Sequence, residues 1–434
     1  KLDYSIQLSK LFYERFIENK EVSLFSPHDC PGLFESFGTD KFDELYRYYE
    51  DDKSVPRATI GGQELILSLL KERAETGRIY LMNIDHCNSH SSFKDKVSMS
   101  NLCQEITLPT DPISHIDDGG GEIALCILSA INVGKIRRLT ELEGLCDLAV
   151  RGLEELIDYQ NYPVKAAERS TIARRSLGIG YIGLAHYLAK NGEHYADKGA
   201  WKLVHDLTEA FQYNLLKASN NLAKERGACD GFQHTKYSDG ILPIDTYKKE
   251  VDEIVENTLA YDWDSLRDDI KEFGLRHSTL SAQMPSESSS IVSNATNGIE
   301  PPRDYLSVKK SKKGPLKQIV PQYNTYRNNY TLLWDMESNE GYIKIVAVMQ
   351  KFFDQAISGN WSYNPENYPD NKVPVSVMAG DLLATYKYGW KTSYYQNTYD
   401  IKKDEETPDN TEVLDNLIND IMSGNEAECD ACNV

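Results

Sequence analysis

A short polar segment, Asn101-Leu102-Cys103-Gln104-Glu105, carries three side chains that could take part in one reaction. Successive side chains on a β-strand alternate between faces, so Asn101, Cys103 and Glu105 are predicted to point the same way. They would bring an amide, a sulfur able to do nucleophilic or radical chemistry, and a carboxylate base to one ligand. Free cysteine is among the most buried residue types, so a structural cysteine beside surface polar residues is the alternative. The spacing alone does not decide between them.

Three other motifs could carry chemistry. Residues 284–290 are Ser-rich and offer hydroxyl and backbone N–H groups that can bind phosphate, although an ordinary loop has the same composition. The adjacent Tyr394 and Tyr395 are, by pattern alone, most typical of a half-buried surface. Cys429 and Cys432 form a CxxC pair, which favours thiol–disulfide exchange. Zinc binding would need a second pair, and none is near in the sequence.

Two further motifs resemble ligand sites without meeting their requirements. Residues 178–183 match the GxGxxG dinucleotide fingerprint, but residues 170–176 before them do not make the required hydrophobic strand. We therefore predict close backbone packing at these glycines. Residues 85–90 contain two histidines and a cysteine, yet no second ligand pair stands at a suitable spacing for zinc. A hydrogen-bonded loop is predicted there, and no metal site is predicted in the chain.

The elements that must position these residues alternate between helical and strand-like segments, which favours an α/β fold. Helical patterns cover 1–75, 139–160, 198–227 and a stretch near 340–358. Strand-like patterns cover 79–82, 103–108, 122–128 and 373–379, with a loop predicted over 83–92. Residues 401–434 hold ten acidic residues, two lysines and no aromatics, which predicts a flexible tail. A short docking helix in that tail is the alternative.

Composition excludes several classes of protein. The chain of 434 residues is 40% hydrophobic, enough for a substantial core. Its net charge of −20 repels nucleic-acid backbones and anionic membranes. No apolar run approaches the roughly 20 residues of a membrane span, and the first residues show no signal-peptide pattern. Eight scattered cysteines do not resemble a secreted disulfide framework. We expect a cytoplasmic protein with no membrane or nucleic-acid partner.

Taken in order, several segments resemble the large (α) catalytic subunit of class I, aerobic ribonucleotide reductase. The resemblance runs through almost the whole chain and is carried by long runs of identical residues. The matching segments are residues 24–29, 76–80, 85–88, 100–103, 121–126, 285–303 and 394–398.

This resemblance implies a role for each residue of the polar segment. Cys103 resembles the cysteine whose thiyl radical abstracts the 3′-hydrogen of the ribose, and Glu105 the base that takes the 3′-hydroxyl proton. Asn101 would hold the sugar hydroxyls, and Cys126 would be one of two thiols that supply reducing equivalents. The substrate diphosphate would be bound by a loop formed by Pro285, Ser286, Glu287, Ser288 and Ser289.

The resemblance also implies partners. Tyr394 and Tyr395 would relay a radical to the active-site cysteine from a small subunit that generates it at a diiron or dimanganese centre. Cys429 and Cys432 would re-reduce the active-site disulfide, and thioredoxin or glutaredoxin would then reduce the tail. No cofactor is expected to bind this chain directly. The expected activity is reduction of ribonucleoside diphosphates to deoxyribonucleotides.

The barrel of this family has ten strands in two five-stranded halves, and this chain is expected to hold about one half. Residues 1–400 would form the catalytic α/β portion and residues 401–434 the redox-active tail. The family's N-terminal portion, with its effector sites and second redox cysteine, has no match here, and Cys30 is a poor substitute. We therefore expect a naturally split subunit completed by an N-terminal partner chain, or a fragment. The tail cysteines are also spaced more tightly than is common in the family.

Two alternatives stay open. The chain could be an inactive remnant that binds the small subunit without catalysis, although the presence of every residue assigned above argues against decay. It could also resemble class II or class III reductases, which generate their radical from cobalamin or at a glycyl site. The tyrosine pair favours class I.

Overall fold

The computed structural model describes residues 3–117, 120–311 and 314–400, which fold into a mixed α/β structure. The strands are β1 (Tyr4–Leu8), β2 (Glu21–Phe25), β3 (Arg57–Gly61), β4 (Ile79–Asn83), β5 (Ile127–Asn132), β6 (Leu177–Ile182), β7 (Leu306–Ser311), β8 (Gly314–Ile319), β9 (Trp361–Tyr363), β10 (Thr392–Ser393) and β11 (Gln396–Thr398). The helices are α1 (Lys10–Ile17), α2 (Leu33–Ser36), α3 (Asp40–Asp51), α4 (Gly62–Thr76), α5 (Ile84–Ser89), α6 (Leu142–Tyr159), α7 (Lys165–Arg174), α8 (Leu184–Asn191), α9 (Lys198–Arg226), α10 (Pro243–Thr246), α11 (Trp263–Phe273), α12 (Ser289–Val292), α13 (Tyr323–Tyr326), α14 (Glu340–Gln350) and α15 (Val375–Lys387).

The long helix α9 lies at the centre of the main hydrophobic core. Leu207, Phe211 and Leu215 follow one another at four-residue spacing and are fully buried, so they line one face of the helix. Burying each such side chain contributes about 1.5–3 kcal/mol relative to leaving it exposed. Helices α6, α11 and α14 pack against α9. The helix ends at Gly227, whose φ of 84° lies outside the range that other residues readily adopt.

A parallel ladder leads from this core towards the polar segment. Strands β5 and β6 pair in parallel, and β6 continues through a parallel bridge to the extended residues 279–283. A second parallel bridge joins Gln283 to Ile357, and the amide of Ala356 donates to the carbonyl of Glu105 (3.0 Å). Two extended segments without named strands therefore connect β6 to the turn that carries Cys103.

A second, three-stranded sheet approaches the same turn from the other side. Strand β4 lies in the middle, parallel to β1 and antiparallel to β10. Thr392 in β10 donates its hydroxyl to the carbonyls of Gln104 (2.9 Å) and Ile357 (3.1 Å), and so joins this sheet to the parallel ladder. Elsewhere β2 pairs with β3, β7 with β8 and β9 with β11. Among the described residues these sheets do not close into a barrel.

The predicted long helices at 139–160 and 198–227 are confirmed as α6 and α9, and the strand at 79–82 as β4. Gly178 and Gly180 lie within β6, and a Cβ on Gly180 would come within 2.7 Å of the Ala282 carbonyl oxygen. The prediction of close packing at these glycines is therefore confirmed.

Other predicted elements are wrong. Residues 1–75 contain three strands besides their helices, residues 84–89 are helix α5, and the helix near 340–358 ends at Gln350. The strand at 122–128 begins only at Ile127. Residues 373–379 belong largely to helix α15, although valine favours strands, because Met378 and Leu382 at helical spacing pack into the core.

The described residues contain no helix that is long and apolar enough to cross a membrane.

Candidate active site

The polar segment is a turn and not the predicted strand. Gln104 adopts a φ of 69°, and its amide donates to the carbonyl of Asn101 (3.1 Å). The Asn101 side chain reaches forward, accepting from the amide of Ile106 (3.1 Å) and hydrogen-bonding the Glu105 carboxyl group. The turn thus brings Asn101 and Glu105 together by folding one over the other. The convergence was predicted, but from a geometry that the chain does not adopt.

Glu105 is almost fully buried beneath this turn. Burial raises the pKa of its carboxyl group, and the hydrogen bonds from Asn101 and Ser358 only partly offset that effect. Ser358 donates its hydroxyl to Glu105 (3.2 Å) and to the carbonyl oxygen of Cys103 (2.5 Å). Glu105 is therefore held in place and exchanges protons at a higher pH than an exposed glutamate.

Cys103 is half-buried and in contact with an aromatic cluster. The Tyr394 hydroxyl lies 3.5 Å from the Cys103 sulfur, and burial raises the pKa of that thiol. The ring of Tyr395 packs on that of Tyr394, with centroids 4.1 Å apart. Tyr80 in β4 contacts both rings, at 4.8 Å from Tyr394 and 5.5 Å from Tyr395.

Tyr80 was missed at the sequence level. Its segment, residues 76–80, was part of the resemblance, but no role was assigned to it. Its contact with the tyrosine pair depends on the antiparallel pairing of β4 with β10, which local pattern does not reveal.

Cys126 lies just before β5 and is connected to the turn through Gln355. The Gln355 amide donates to the Cys126 sulfur (3.5 Å) and to the carbonyl of Leu177 (2.9 Å). Burial raises the pKa of the Cys126 thiol well above its usual range. A Cβ on Gly178 would lie 2.7 Å from the sulfur, so the glycine makes room for it. Gln355 and Ser358 belong to one extended segment, which therefore contacts both Cys126 and the Cys103 turn.

A cleft of about 520 Å³ opens beside the tyrosine pair. The Ser-rich loop forms one wall: Ser286 is buried, with its amide bonded to the Asn297 side chain (3.1 Å), while Pro285, Glu287, Ser288 and Ser289 are exposed. No lysine or arginine is among the described residues of its lining. An anion bound there would depend on backbone N–H and hydroxyl groups. The residues that line the cleft are Met284, Pro285, Ser286, Glu287, Ser288, Ser289, Asn297, Gly298, Ile299, Glu300, Ser358, Asn360, Tyr394 and Tyr395.

Glu300 is a second titratable group in the cleft wall that sequence reasoning missed. It accepts a hydrogen bond from the Tyr342 hydroxyl, and burial raises its pKa to about 7. Its position among small and polar residues of the 285–303 segment gave no signal of this burial.

The zinc-like segment 85–90 packs as part of a buried polar group that we term the α5 cluster: His86, Cys87, His90 and Lys391. His86 contacts the Trp390 carbonyl (2.9 Å), His90 contacts Thr246 (2.8 Å) and the Gln350 carbonyl (2.7 Å), and Cys87 donates to the Lys391 carbonyl (3.6 Å). The side chains bond to different groups and not to a common point. The segment is hydrogen-bonded as predicted, but the predicted loop is wrong, because residues 84–89 form helix α5.

Among the residues that the structure describes, one other group has the residue types of a metal site. Ligand atoms of His205, Asp206 and Glu209 lie within 4.8 Å of one another. The Lys351 ammonium group sits 3.4 Å from His205 Nε2, and Glu209 accepts three hydrogen bonds, including one from the Trp263 indole (3.1 Å). A lysine already supplies the cation here, which favours a structural ionic cluster.

The predicted tail, with Cys429 and Cys432, lies outside the described residues.

Comparison with known proteins assigns the family. Residues 1–396 match the family model for the ribonucleotide reductase barrel domain, and the chain therefore belongs to this family. The resemblance inferred from the sequence motifs is confirmed.

The similarity extends to individual relatives. The chain is 59% identical to the ribonucleoside-diphosphate reductase subunit alpha of Haemophilus influenzae over 408 residues, and 51% identical to the ribonucleoside-diphosphate reductase 1 subunit alpha of Escherichia coli over 408. It is 42% identical to subunit alpha of phage T4 over 409. These alignments cover 93%, 93% and 92% of this chain and 54%, 54% and 53% of the relatives. The chain thus spans about half the length of the curated relatives it matches.

Proposed function

We propose that this chain is the catalytic part of a ribonucleoside-diphosphate reductase α subunit, which reduces ribonucleotides by thiyl-radical chemistry. The observation that carries the proposal is the 3.5 Å contact between the Tyr394 hydroxyl and the Cys103 sulfur, with the Tyr395 ring packed at a tilt against that of Tyr394. A thiol, a phenol and a second phenol in contact can pass a hydrogen atom by short proton-coupled steps.

In this mechanism Tyr395 is oxidised first, Tyr394 next, and Cys103 last. Tyr394 passes the oxidising equivalent on when the Cys103 S–H hydrogen moves to its phenoxyl oxygen, which leaves a sulfur-centred radical. That radical removes the 3′-hydrogen of the ribose. Glu105 accepts the 3′-hydroxyl proton as the 2′-hydroxyl leaves as water, and Asn101 orients the sugar hydroxyls. Because burial raises the pKa of Glu105, its carboxylate is a stronger base than that of an exposed glutamate.

Reduction of the sugar needs two electrons and two protons, which we assign to a pair of thiols. Cys126 is one member, and its oxidation with the second thiol forms a disulfide while the substrate is reduced. The second thiol is assigned to an N-terminal partner chain. Cys429 and Cys432 then reduce that disulfide by exchange, and thioredoxin or glutaredoxin reduces the tail pair in turn.

The substrate diphosphate is assigned to the loop of Pro285, Ser286, Glu287, Ser288 and Ser289. This loop lines the same cleft as Tyr394, whose hydroxyl contacts the Cys103 sulfur, and this supports a position for the bound ribose close to that pair. The absence of lysine and arginine from the described lining makes backbone N–H and serine hydroxyl groups the phosphate donors.

The proposed fold is one half of the ten-stranded barrel, with the N-terminal partner chain supplying the rest. The parallel order from β5 through β6 to residues 279–283 and 355–358 supports such a half. The oxidising equivalent enters from a radical-generating small subunit that holds a diiron or dimanganese centre. The proposed location is the cytoplasm.

The test is reconstitution. The full chain, an N-terminal chain covering the remainder of the subunit, and the small subunit are mixed with cytidine diphosphate and thioredoxin, and deoxycytidine diphosphate is measured. Product that requires all three chains supports the proposal. Assembly of the three chains without product would favour the inactive remnant. Product that persists after Tyr395→Phe would favour a radical that enters by another route.

A further inference from the structure

The tyrosine pair is held by its backbone as well as by its rings. The Tyr394 amide donates to the Gly359 carbonyl (2.8 Å), and the Tyr395 amide donates to the Asn360 side chain (3.0 Å). The Tyr395 carbonyl accepts from the amide of Trp361 (2.9 Å). Every backbone polar group of the dipeptide except the Tyr394 carbonyl is thus bonded to one short segment, residues 359–361.

Arg73 on α4 completes this arrangement. Its guanidinium group donates to the carbonyls of Tyr394 (2.9 Å) and Tyr395 (3.3 Å), and also to that of Ile79, the residue before Tyr80. The same group lies over the Trp361 ring, 4.7 Å from its centroid. One side chain therefore fixes the backbone of Tyr394 and Tyr395 relative to β4, the strand that carries the third tyrosine of the cluster.

The environment of Arg73 is unusual for a residue that serves stability alone. The side chain is fully buried, and burial lowers its pKa to about 9. The groups that act on its charge are the hydroxyls of Tyr363 and Tyr80, and no carboxylate of the described chain is among them. A buried guanidinium without an anionic partner is costly to desolvate, so its hydrogen bonds to the three carbonyls must offset that cost.

We propose that Arg73 is a positioning residue for the radical relay, and that it sets the distance from Tyr394 to Cys103 by holding the carbonyls of both tyrosines. This inference deepens the proposed function and rests on it. The Cys103–Tyr394 contact at 3.5 Å leaves little tolerance, because a displacement of about 1 Å can cost about 10²-fold in rate.

The test compares Arg73→Gln and Arg73→Lys with Lys71→Gln, an exposed position on the same helix. In the complete three-chain assembly, Arg73→Gln is expected to lower kcat about 10²-fold while the Kd for cytidine diphosphate is unchanged. Arg73→Lys keeps the charge but has no planar fork to span two carbonyls, so an intermediate kcat is expected. Lys71→Gln should match the unaltered chain.

Three results would overturn the inference. The first is a folded Arg73 variant with unaltered kcat. The second is a loss of nucleotide binding in proportion to the loss of kcat. The third is failure of both variants to fold, since Arg73 would then serve stability alone.

A second measurement separates this inference from the proposed function. A solved structure of Arg73→Gln should show the Tyr394 hydroxyl beyond hydrogen-bonding distance of the Cys103 sulfur, and an unchanged distance counts against the inference. If the unaltered chain makes no deoxynucleotide, the proposed function fails, but this geometric result still decides whether Arg73 positions the pair.

Discussion

Two regions of this molecule hold a cysteine among polar and titratable groups, and they differ in what surrounds the sulfur. In the α5 cluster, Cys87 is fully buried and bonded to the Lys391 carbonyl, and burial raises its pKa to about 12. At the turn, Cys103 is half-buried and contacts a tyrosine hydroxyl beside an open cleft. In the sequence, both segments contain residue types that could bind a ligand or take part in catalysis. Access and partners distinguish a structural thiol from a reactive one.

The histidines of the α5 cluster make the same point. Burial lowers the pKa of His86 to about 3 and that of His90 well below its ordinary value. Each is a neutral side chain at physiological pH, bonded to the protein's own groups. Glu105, in contrast, is buried with a raised pKa but is connected to the cleft. It accepts a hydrogen bond from Ser358, and Ser358 is one of the residues that line the cleft. The side chains of the α5 cluster are bonded to the protein's own groups, whereas Ser358 connects Glu105 to the lining of an open cleft.

The largest effect is expected from substitution of the two cysteines, Cys103 and Cys87, whose surroundings differ. Cys103→Ser should abolish deoxynucleotide formation, because serine cannot form the sulfur radical, while assembly with the partner chains is retained. Cys87→Ser is the matched control: turnover should persist, at a cost of about 1–3 kcal/mol in the free energy of unfolding. Product assays and thermal melts of both variants check this. Loss of assembly in Cys103→Ser would make that cysteine structural as well.

Tyr394→Phe tests the tyrosine side of the contrast. Removing the hydroxyl next to Cys103 deletes the proton-transfer partner, so turnover should fall by about 10²–10⁴-fold with the fold intact. Tyr386→Phe is the control, since Tyr386 packs on His86 and Tyr13, outside the cleft. Its turnover should be unchanged. Equal losses in the two variants would show that the tyrosines act through stability and not through radical transfer.

The sequence anticipated the site better than the fold around it. Asn101, Cys103 and Glu105 were predicted to converge by strand alternation, but a turn with Gln104 at positive φ brings them together. Alternating residue types over five positions cannot distinguish these two geometries. The roles of these residues, and of Cys126 and the tyrosine pair, came from the family resemblance, and they stay predictions.

The missing members of the site are those fixed by long-range pairing. Arg73 contacts a carbonyl 321 positions away, and Tyr80 reaches the pair only because β10 adds to β4. No local pattern contains such contacts. The same limit explains α15: its valines favour a strand locally, and the packing of Met378 and Leu382 overrides that preference. The helices α6 and α9 were predictable because their periodic apolar faces are long.

A pH profile sharpens the contrast for Glu105. As a base it must be ionised, and because burial raises its pKa, turnover should decline on the acid side at a higher pH than an exposed glutamate would give. Glu105→Gln should lose this acid limb along with most of its activity. Glu72→Gln, on the exposed face of α4, serves as the control and should keep both the activity and the acid limb of the pH profile.

The same shift predicts a stability effect with the opposite sign to a salt-bridged carboxylate. Between the unfolded pKa, about 4.3, and its raised folded value, Glu105 is protonated only in the folded chain. Stability is therefore lost as pH rises through this window, and the full cost is present above it. Glu105→Gln should raise the Tm at pH 7–8 and give no advantage near pH 4. An advantage that grew towards acid pH would contradict this.

The smallest expected effect concerns stability alone and lies in the α5 cluster. Lys391 is fully buried, its ammonium group donates to the carbonyls of Asp354 and Gln355, and burial lowers its pKa to about 7. Between about pH 7 and pH 10.4, Lys391 is protonated in the unfolded chain and neutral in the folded one. Unfolding then takes up a proton, so the free energy of unfolding rises with pH across this window, and the full cost of the buried charge is present below it.

Lys391→Met removes the titration. The Tm of the unaltered chain minus the Tm of the variant should therefore increase from pH 7 to pH 10. Lys71→Met should show no such trend. A Tm difference for Lys391→Met that does not change with pH would contradict this prediction. It would mean that Lys391 stays charged in the folded chain, so that the α5 cluster carries a positive charge.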